Sequence, residues 1–161
     1  MQPNYMDSIA QLLVKNNMTI STAESCTGGM LAQQLTVIPG SSKYYLGSII
    51  AYDNKIKVEL LGVSTNLLEK YGAVSKEVGI EMAKRIRILT GSDLGVGITG
   101  LAGPGGGSIK KPIGLVYVAL DTPYGCNCIK SDFNGDRETI RNKSSLYAQY
   151  LVWKYLQSIE V

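Results

Sequence analysis

The stretch Ala23-Glu24-Ser25-Cys26-Thr27-Gly28-Gly29 joins a short β-prone run, residues 19–22, to a helical run, residues 30–35. A polar, glycine-ended turn between a strand and a helix places backbone N–H groups and hydroxyls at a helix N-terminus, where anions and developing oxyanions are stabilised. The pattern predicts a βα unit whose turn holds four candidate substrate-contacting or catalytic residues: Glu24, Ser25, Thr27 and Gly28. For Glu24 two interpretations stay open, because its carboxylate either takes part in the site or holds loop N–H groups or a lysine.

The rest of the chain continues this alternation of strands and helices and adds one hairpin through Thr122-Pro123-Tyr124-Gly125. No internal repeat or interdomain linker is visible, so residues 1–161 are expected to form a single domain. The pattern predicts an α/β fold, a three-layer α/β/α sandwich with a mixed, mostly parallel sheet. Helices are predicted over residues 5–16, 28–37, 55–61, 65–70, 75–90 and 136–159, and strands over residues 19–23, 46–52, 94–99, 113–120 and 126–133.

Composition excludes several function classes. The chain has no histidine, which rules out Ser-His and Cys-His relays and histidine-ligated metal sites, and we expect no metal and no cofactor. Three cysteines without a CxxC pair indicate neither a disulfide framework nor a zinc ribbon. A net charge of +3 with scattered basic residues argues against nucleic acid and suits a small anionic ligand. No signal pattern or membrane-spanning run is seen, so the expected location is the cytoplasm.

A glycine-rich loop follows a very apolar strand. Residues 99–107 contain five glycines, directly after the run Leu94-Gly95-Val96-Gly97-Ile98. Ligands in open α/β sheets bind at the carboxyl ends of strands, and glycine lets the backbone approach them closely. The pattern favours a ligand-facing loop over a flexible surface loop, with four candidate binding residues: Thr99, Gly103, Gly105 and Gly106.

Ser42, Tyr52 and Lys57 form a candidate catalytic set. Without histidine, a serine nucleophile needs a lysine of lowered pKa as its base, or a tyrosine that relays the proton. On the residues alone, Ser42 is also explained as a turn residue and Lys57 as a solvated helix lysine.

Arg137 lies in the first turn of the terminal helix, behind the predicted cap Asp136. An arginine there opposes the helix dipole, which hints at recruitment for an anion. Pairing with a surface glutamate is the alternative.

Eight segments in order resemble the CinA C-terminal family, the nicotinamide mononucleotide amidases. Each motif is weak alone, but their order from residue 22 to residue 137 is specific. The segments are Thr22-Ala-Glu-Ser-Cys-Thr-Gly-Gly29, Pro39-Gly-Ser-Ser42, Tyr52-x-Asn54-x-x-Lys57, Leu61-Gly-Val63, Gly72-Ala-Val-Ser75, Thr99-Gly-Leu-Ala-Gly-Pro-Gly-Gly-Gly-Ser108, Lys111-Pro112-x-Gly114 and Gly135-Asp-Arg137.

The resemblance implies hydrolysis of the carboxamide of nicotinamide mononucleotide to nicotinate mononucleotide and ammonia, in pyridine-nucleotide salvage. It also implies a three-layer α/β/α fold, a homodimer or higher homo-oligomer, and no metal. The family's proposed active-site residues correspond to Ser25, Ser42, Tyr52, Lys57, Thr99 and Arg137. Three positions depart from the family pattern, namely Asp53, Ser48 and the pair Ile109-Lys110, and none of them is a matched site residue.

The working hypothesis is that Ser42 attacks the carboxamide carbon with Lys57 as base, directly or through Tyr52, while Ser25 is the rival nucleophile. Backbone N–H groups of the turn after residue 24 or of the loop at Thr99 are expected to hold the oxyanion. Arg137 and the glycine loop are expected to anchor the phosphate. Two other functions stay open: a non-catalytic nucleotide-sensing or protein-binding module linked to competence or DNA damage, and an amidase for another small amide.

Overall fold

The computed structural model describes residues 4–159, which form five strands and six α-helices. The strands are β1 (Ile20–Glu24), β2 (Tyr45–Ile50), β3 (Leu94–Gly100), β4 (Leu115–Thr122) and β5 (Gly125–Asp132). The helices are α1 (Met6–Lys15), α2 (Met30–Val37), α3 (Asn54–Glu59), α4 (Thr65–Tyr71), α5 (Lys76–Thr90) and α6 (Arg137–Ser158), and a short 3-10 helix covers Ser41–Lys43. No helix in the described part of the chain is long and apolar enough to cross a membrane.

The five strands form one mixed sheet in the order β2-β1-β3-β4-β5. Strand β1 pairs parallel with β2 and β3, and β4 pairs antiparallel with β3 and β5. Four of the five strands therefore point the same way, and the carboxyl ends of β1, β2 and β3 meet at one edge. This confirms the predicted α/β class.

Helices cover both faces of the sheet, which makes the fold a three-layer sandwich. Helices α1, α2 and α6 enclose one core with side chains such as Leu13, Leu35 and Val152. Helices α3, α4 and α5 enclose the other, around Met82 and Leu61.

The glycines of β3 explain how α5 lies so close to the sheet. A Cβ atom at Gly95 would collide with the carbonyl oxygen of Ala83, and one at Gly97 with that of Gly79. Because α5 crosses directly over β3 and β4, it supports the strand ends that carry the site.

Helices α3 and α6 begin at capping aspartates, Asp136 as predicted, whereas α2 begins later than predicted. Asp53 accepts a hydrogen bond from Lys55 N (2.7 Å), and Asp136 accepts one from Thr139 N (2.8 Å). Helix α2 begins at Met30 rather than at the predicted Gly28. Gly28 and Gly29 have φ angles of +60° and +96°, outside the right-handed helical region.

Candidate active site

A cleft of about 240 Å³ opens at the carboxyl ends of β1 and β3. Its wall comes from five places: the turn after β1, the segment from the end of β2 into α3, the segment between α4 and α5, the end of β3 with the loop after it, and the first residue of α6. The lining residues are Ser25, Cys26, Tyr52, Asn54, Lys57, Ala73, Val74, Thr99, Gly100, Leu101, Ala102, Gly103, Gly105 and Arg137. The cleft thus joins segments that are far apart in the sequence.

Lys57 is buried, and its amino group has no carboxylate partner in the described chain. Only 1% of its surface is exposed, although it lies on the six-residue helix α3. Its Nζ lies 2.7 Å from the carbonyl oxygen of Ala51, 3.2 Å from that of Tyr52 and 3.2 Å from Ser25 Oγ. Burial lowers the pKa of Lys57, and the nearby carboxylate of Asp53 only partly opposes this.

Ser25 is the first residue after β1, and two backbone hydrogen bonds fix its position. Its N–H donates to Ile98 O of β3 (3.0 Å), and its carbonyl oxygen accepts from Gly28 N (3.0 Å). These two bonds fix the backbone on both sides of the side chain. The Oγ atom therefore faces the amino group of Lys57 from an ordered turn.

Glu24 is a structural carboxylate and lies outside the lining of the cleft. It is fully buried and accepts hydrogen bonds from Gly29 N (3.1 Å), Leu31 N (3.2 Å) and Ala32 N (2.8 Å). A buried acceptor with these partners stabilises the N-terminus of α2, so that terminus is not free for an oxyanion. These contacts match the second interpretation given above, in which the carboxylate holds backbone N–H groups.

Arg137 connects two sides of the cleft mouth. It donates from Nη1 to Gly103 O (2.7 Å) and from Nη2 to the hydroxyl of Tyr52 (3.0 Å). The Tyr52 side chain is 58% exposed. Lys57 touches the carbonyl of Tyr52, whereas the hydroxyl faces Arg137, so the expected proton relay through Tyr52 is not supported by this arrangement.

The remaining candidates in the turn and in the glycine loop divide into two groups. Thr99 lines the cleft while its hydroxyl donates to Ala73 O (2.7 Å). Gly103 and Gly105 line the cleft as well, whereas Gly106 lies outside the lining. Thr27 and Gly28 also lie outside it. Thr27 is buried and its hydroxyl has no hydrogen-bond partner in residues 4–159.

Comparison with known proteins identifies the family. The sequence model of one protein family, described as the CinA C-terminal domain, matches residues 3–156 of this chain. The chain belongs to the CinA C-terminal domain family. A CinA-like protein of Desulfotalea psychrophila is 47% identical over 148 residues, which are 92% of this chain and 36% of that protein. Another, from Fervidobacterium nodosum, is 48% identical over 142 residues, 88% of this chain and 35% of that protein. The chain thus spans about a third of the length of these relatives.

Solved structures of CinA proteins share this fold. A competence-damaged protein (CinA) superfamily protein from Klebsiella pneumoniae superposes with a TM-score of 0.92 at 28% identity, over 97% of this chain and 99% of that one. A competence/damage inducible protein from Agrobacterium tumefaciens gives 0.88 at 33% identity, over 98% of both chains.

In this CinA domain, Ser42 does not meet Lys57. Ser42 is exposed in the 3-10 helix that precedes β2, at the amino ends of the parallel strands. The cleft is at the carboxyl ends, and β2 has six residues, so about 20 Å of strand separates them. The expected pairing of Ser42 with Lys57 is therefore wrong within one chain, because the strand between them is extended. Ser25, the rival nucleophile, is the serine that touches Lys57.

Two residues of the site were not among the sequence candidates. Cys26 lines the cleft, and burial raises the pKa of its thiol to about 12, which keeps it protonated. Arg141 donates from Nε to Cys26 O (3.1 Å) and from Nη2 to Thr27 O (3.0 Å), and so holds the turn after Ser25. Its position four residues after Arg137, on one helix face, is the signal that identifies it.

A larger cavity of about 560 Å³ lies between β5 and α6 and is lined mainly by aromatic and apolar residues such as Tyr147 and Leu151. No buried nucleophile and base meet in it within the described chain. No group of three or more cysteine, aspartate or glutamate side chains in residues 4–159 is arranged to hold a metal ion. The cleft at Lys57 is thus where this fold concentrates reactive groups.

Proposed function

We propose that this CinA domain hydrolyses the carboxamide of nicotinamide mononucleotide, with Ser25 as nucleophile and Lys57 as base. The observation that carries the proposal is the 3.2 Å contact between Lys57 Nζ and Ser25 Oγ in a buried position. A lysine that loses its proton easily can activate a serine where no histidine exists. The motifs shared with the amidases of this family support the choice of substrate.

The two carbonyl contacts of Lys57 are compatible with a neutral amine. A neutral amino group has two N–H donors and one lone pair. The carbonyl oxygens of Ala51 and Tyr52 take the two donors, which leaves the lone pair to accept the hydroxyl proton of Ser25. Lowering of the pKa by burial increases the fraction of Lys57 in this form.

The proposed reaction proceeds through an acyl-enzyme. Lys57 takes the proton of Ser25 as Oγ attacks the carboxamide carbon, forming the C–O bond and a tetrahedral oxyanion. The intermediate collapses, the C–N bond breaks, and Lys57 returns the proton to the leaving ammonia. Water, activated by Lys57 in the same way, then cleaves the ester and releases the carboxylate.

Backbone N–H groups next to Ser25 are suited to the oxyanion. In residues 4–159, the N–H groups of Cys26 and Thr27 donate to no backbone carbonyl or side-chain carboxylate. Arg141 binds the carbonyl oxygens of the same two residues and so fixes the orientation of these peptide groups. Each donor aimed at a developing oxyanion typically contributes about 3 to 4 kcal/mol.

Arg137 and the glycine loop are suited to the phosphate. The guanidinium stands at the cleft mouth beside Gly103, and guanidinium groups bind phosphate with two parallel hydrogen bonds. A cleft of about 240 Å³ suits a small ligand. Nicotinamide riboside, which lacks the phosphate, should therefore react with a higher KM.

Ammonia release from nicotinamide mononucleotide tests the proposal. Wild type is compared with Lys57→Ala and with Lys55→Ala, a control on the same helix whose side chain is 71% exposed. We expect release by wild type and by the control, and loss of release in Lys57→Ala. No release from folded wild type would reject the amidase and favour a nucleotide-binding module without turnover.

A further inference from the structure

Two of the segments that resemble the CinA family, residues 72–75 and 111–114, supply no group to the proposed reaction, yet they meet in the structure. Lys111 Nζ donates a hydrogen bond to the carbonyl oxygen of Tyr71, the last residue of α4, at 2.6 Å. A Cβ atom on the next residue, Gly72, would come within 2.7 Å of Lys111 Nζ. Glycine at position 72 therefore leaves the space that the ammonium group occupies.

Through this contact Lys111 joins two parts of the cleft wall. Ala73 and Val74, which follow Gly72, line the cleft from the segment between α4 and α5. The loop between β3 and β4, residues 101–114, forms the other part, and Lys111 lies near its end. The relative position of these two parts of the wall therefore depends in part on one side chain. The lining residues of the loop are Leu101, Ala102, Gly103 and Gly105.

The exposed part of this loop has few contacts of its own. At the base, Gly114 N donates to Leu101 O (2.7 Å), which closes the loop beside the sheet. Residues 104–110 are exposed, and within the described chain they take part in one backbone hydrogen bond, from Ser108 N to Lys111 O (2.8 Å). A segment with so few buried contacts and hydrogen bonds opens easily unless side chains fix it.

We propose that Lys111 is a positioning residue, which fixes the return limb of the loop through Tyr71. On the outgoing limb, the contact of Arg137 with Gly103 O has the same effect. A loop that is fixed on both limbs keeps its glycines in place at the cleft mouth, where the phosphate of the substrate is proposed to bind. This consequence for substrate rests on the proposed amidase function, whereas the fixing of the loop does not.

The contact should act on substrate binding rather than on the chemical steps. Ser25 and Lys57 lie in the turn after β1 and on α3, and the hydrogen bond of Lys111 goes to neither segment. A mobile loop must be ordered each time a substrate binds, and this ordering costs free energy. Loss of the contact should therefore raise KM and leave kcat nearly unchanged.

Nuclear magnetic resonance relaxation of the backbone ¹⁵N nuclei tests the positioning without any turnover. Lys111→Met keeps an unbranched side chain and removes the donor, and Lys110→Met is the matched control at the exposed neighbouring position. We expect order parameters of residues 105–110 of about 0.85 in wild type and in the control, and below about 0.6 in Lys111→Met. Equal values in the two variants, or a mobile loop in wild type, would overturn the proposal.

A conservative variant tests whether the hydrogen bond itself fixes the loop. Lys111→Arg keeps a positively charged donor at this position. Its order parameters should therefore stay close to those of wild type. A loop as mobile as in Lys111→Met would show that the bond to Tyr71 O is not what holds it.

Steady-state ammonia release from nicotinamide mononucleotide measures the consequence for substrate. In Lys111→Met we expect KM to rise about tenfold with kcat within about twofold of wild type, since a hydrogen bond from a charged donor is lost. Lys110→Met and Lys111→Arg should keep both constants. A fall in kcat at unchanged KM would contradict a role in substrate binding.

The two proposals can fail separately. If folded wild type releases no ammonia while the order parameters change as expected, the amidase is rejected and the positioning of the loop is kept. Ammonia release by wild type with an equally ordered loop in Lys111→Met would reject the positioning role and keep the amidase.

Discussion

Glu24 and Lys57 are both buried at the carboxyl end of β1, yet their surroundings differ. The carboxylate of Glu24 accepts three backbone N–H groups at the start of α2. The amino group of Lys57 has only neutral oxygen neighbours, and burial lowers its pKa. A buried charge with enough hydrogen bonds holds structure, whereas a buried amine without a counter-charge can exchange its proton near the cleft.

The largest expected effect tests whether Lys57 acts by losing its proton. Lys57→Arg keeps a cation but cannot be deprotonated. We expect kcat to fall by about 10²- to 10⁴-fold, the usual contribution of general acid–base catalysis. Steady-state ammonia release measures it, with Lys55→Arg as the control. If the Lys57→Arg variant kept more than about a tenth of wild-type activity, a fixed positive charge would be sufficient.

At Glu24 we expect a substitution to lower the stability of the fold, in contrast to the loss of kcat expected at Lys57. Glu24→Ala leaves one buried and two part-buried N–H groups without an acceptor, and each such group costs about 1 to 3 kcal/mol when it is buried. The free energy of unfolding should fall by about 3 kcal/mol or more, measured by urea denaturation. The exposed Glu69→Ala is the control and should change it by less than about 0.5 kcal/mol. Equal stability of the two variants would remove the structural role of Glu24.

The uncharged cap of α5 can be compared with the charged Glu24 at the start of α2. Ser75 begins α5 and accepts one hydrogen bond from Val78 N (3.3 Å). Ser75→Ala should lower the free energy of unfolding by about 1 kcal/mol, the usual effect of losing a cap. A loss as large as that of Glu24→Ala would show that the charge of Glu24 adds nothing beyond capping.

The smallest effect concerns the pH profile of the proposed reaction. The rate should rise with pH as Lys57 loses its proton, through a pKa below the ordinary lysine value of 10.5. Asp53 opposes that lowering, so Asp53→Asn should lower the pKa further and move the rising limb to lower pH, while asparagine still caps α3. The shift is read from kcat against pH. A limb that moves to higher pH would contradict the assignment of the limb to Lys57.

Local patterns were sufficient for most of the fold. The alternation of strands and helices, the cap Asp136 and the glycine-bearing strand β3 depend on residues near one another in sequence. Lys57 and Ser25 were also found as candidates, because a chain without histidine has few possible bases and nucleophiles. Their mutual contact is a tertiary fact, since 32 residues separate them.

The sequence by itself determined the α/β class, the family and the residue types from which a histidine-free site is built. Only the tertiary structure decided that Glu24 caps α2, that Ser42 is a strand's length away from Lys57, and that Arg141 holds the turn of Ser25. The physical reason is that hydrogen-bond partners and burial depend on which segments meet in space. A carboxylate and an amine of ordinary sequence context acquire opposite roles from the groups that surround them.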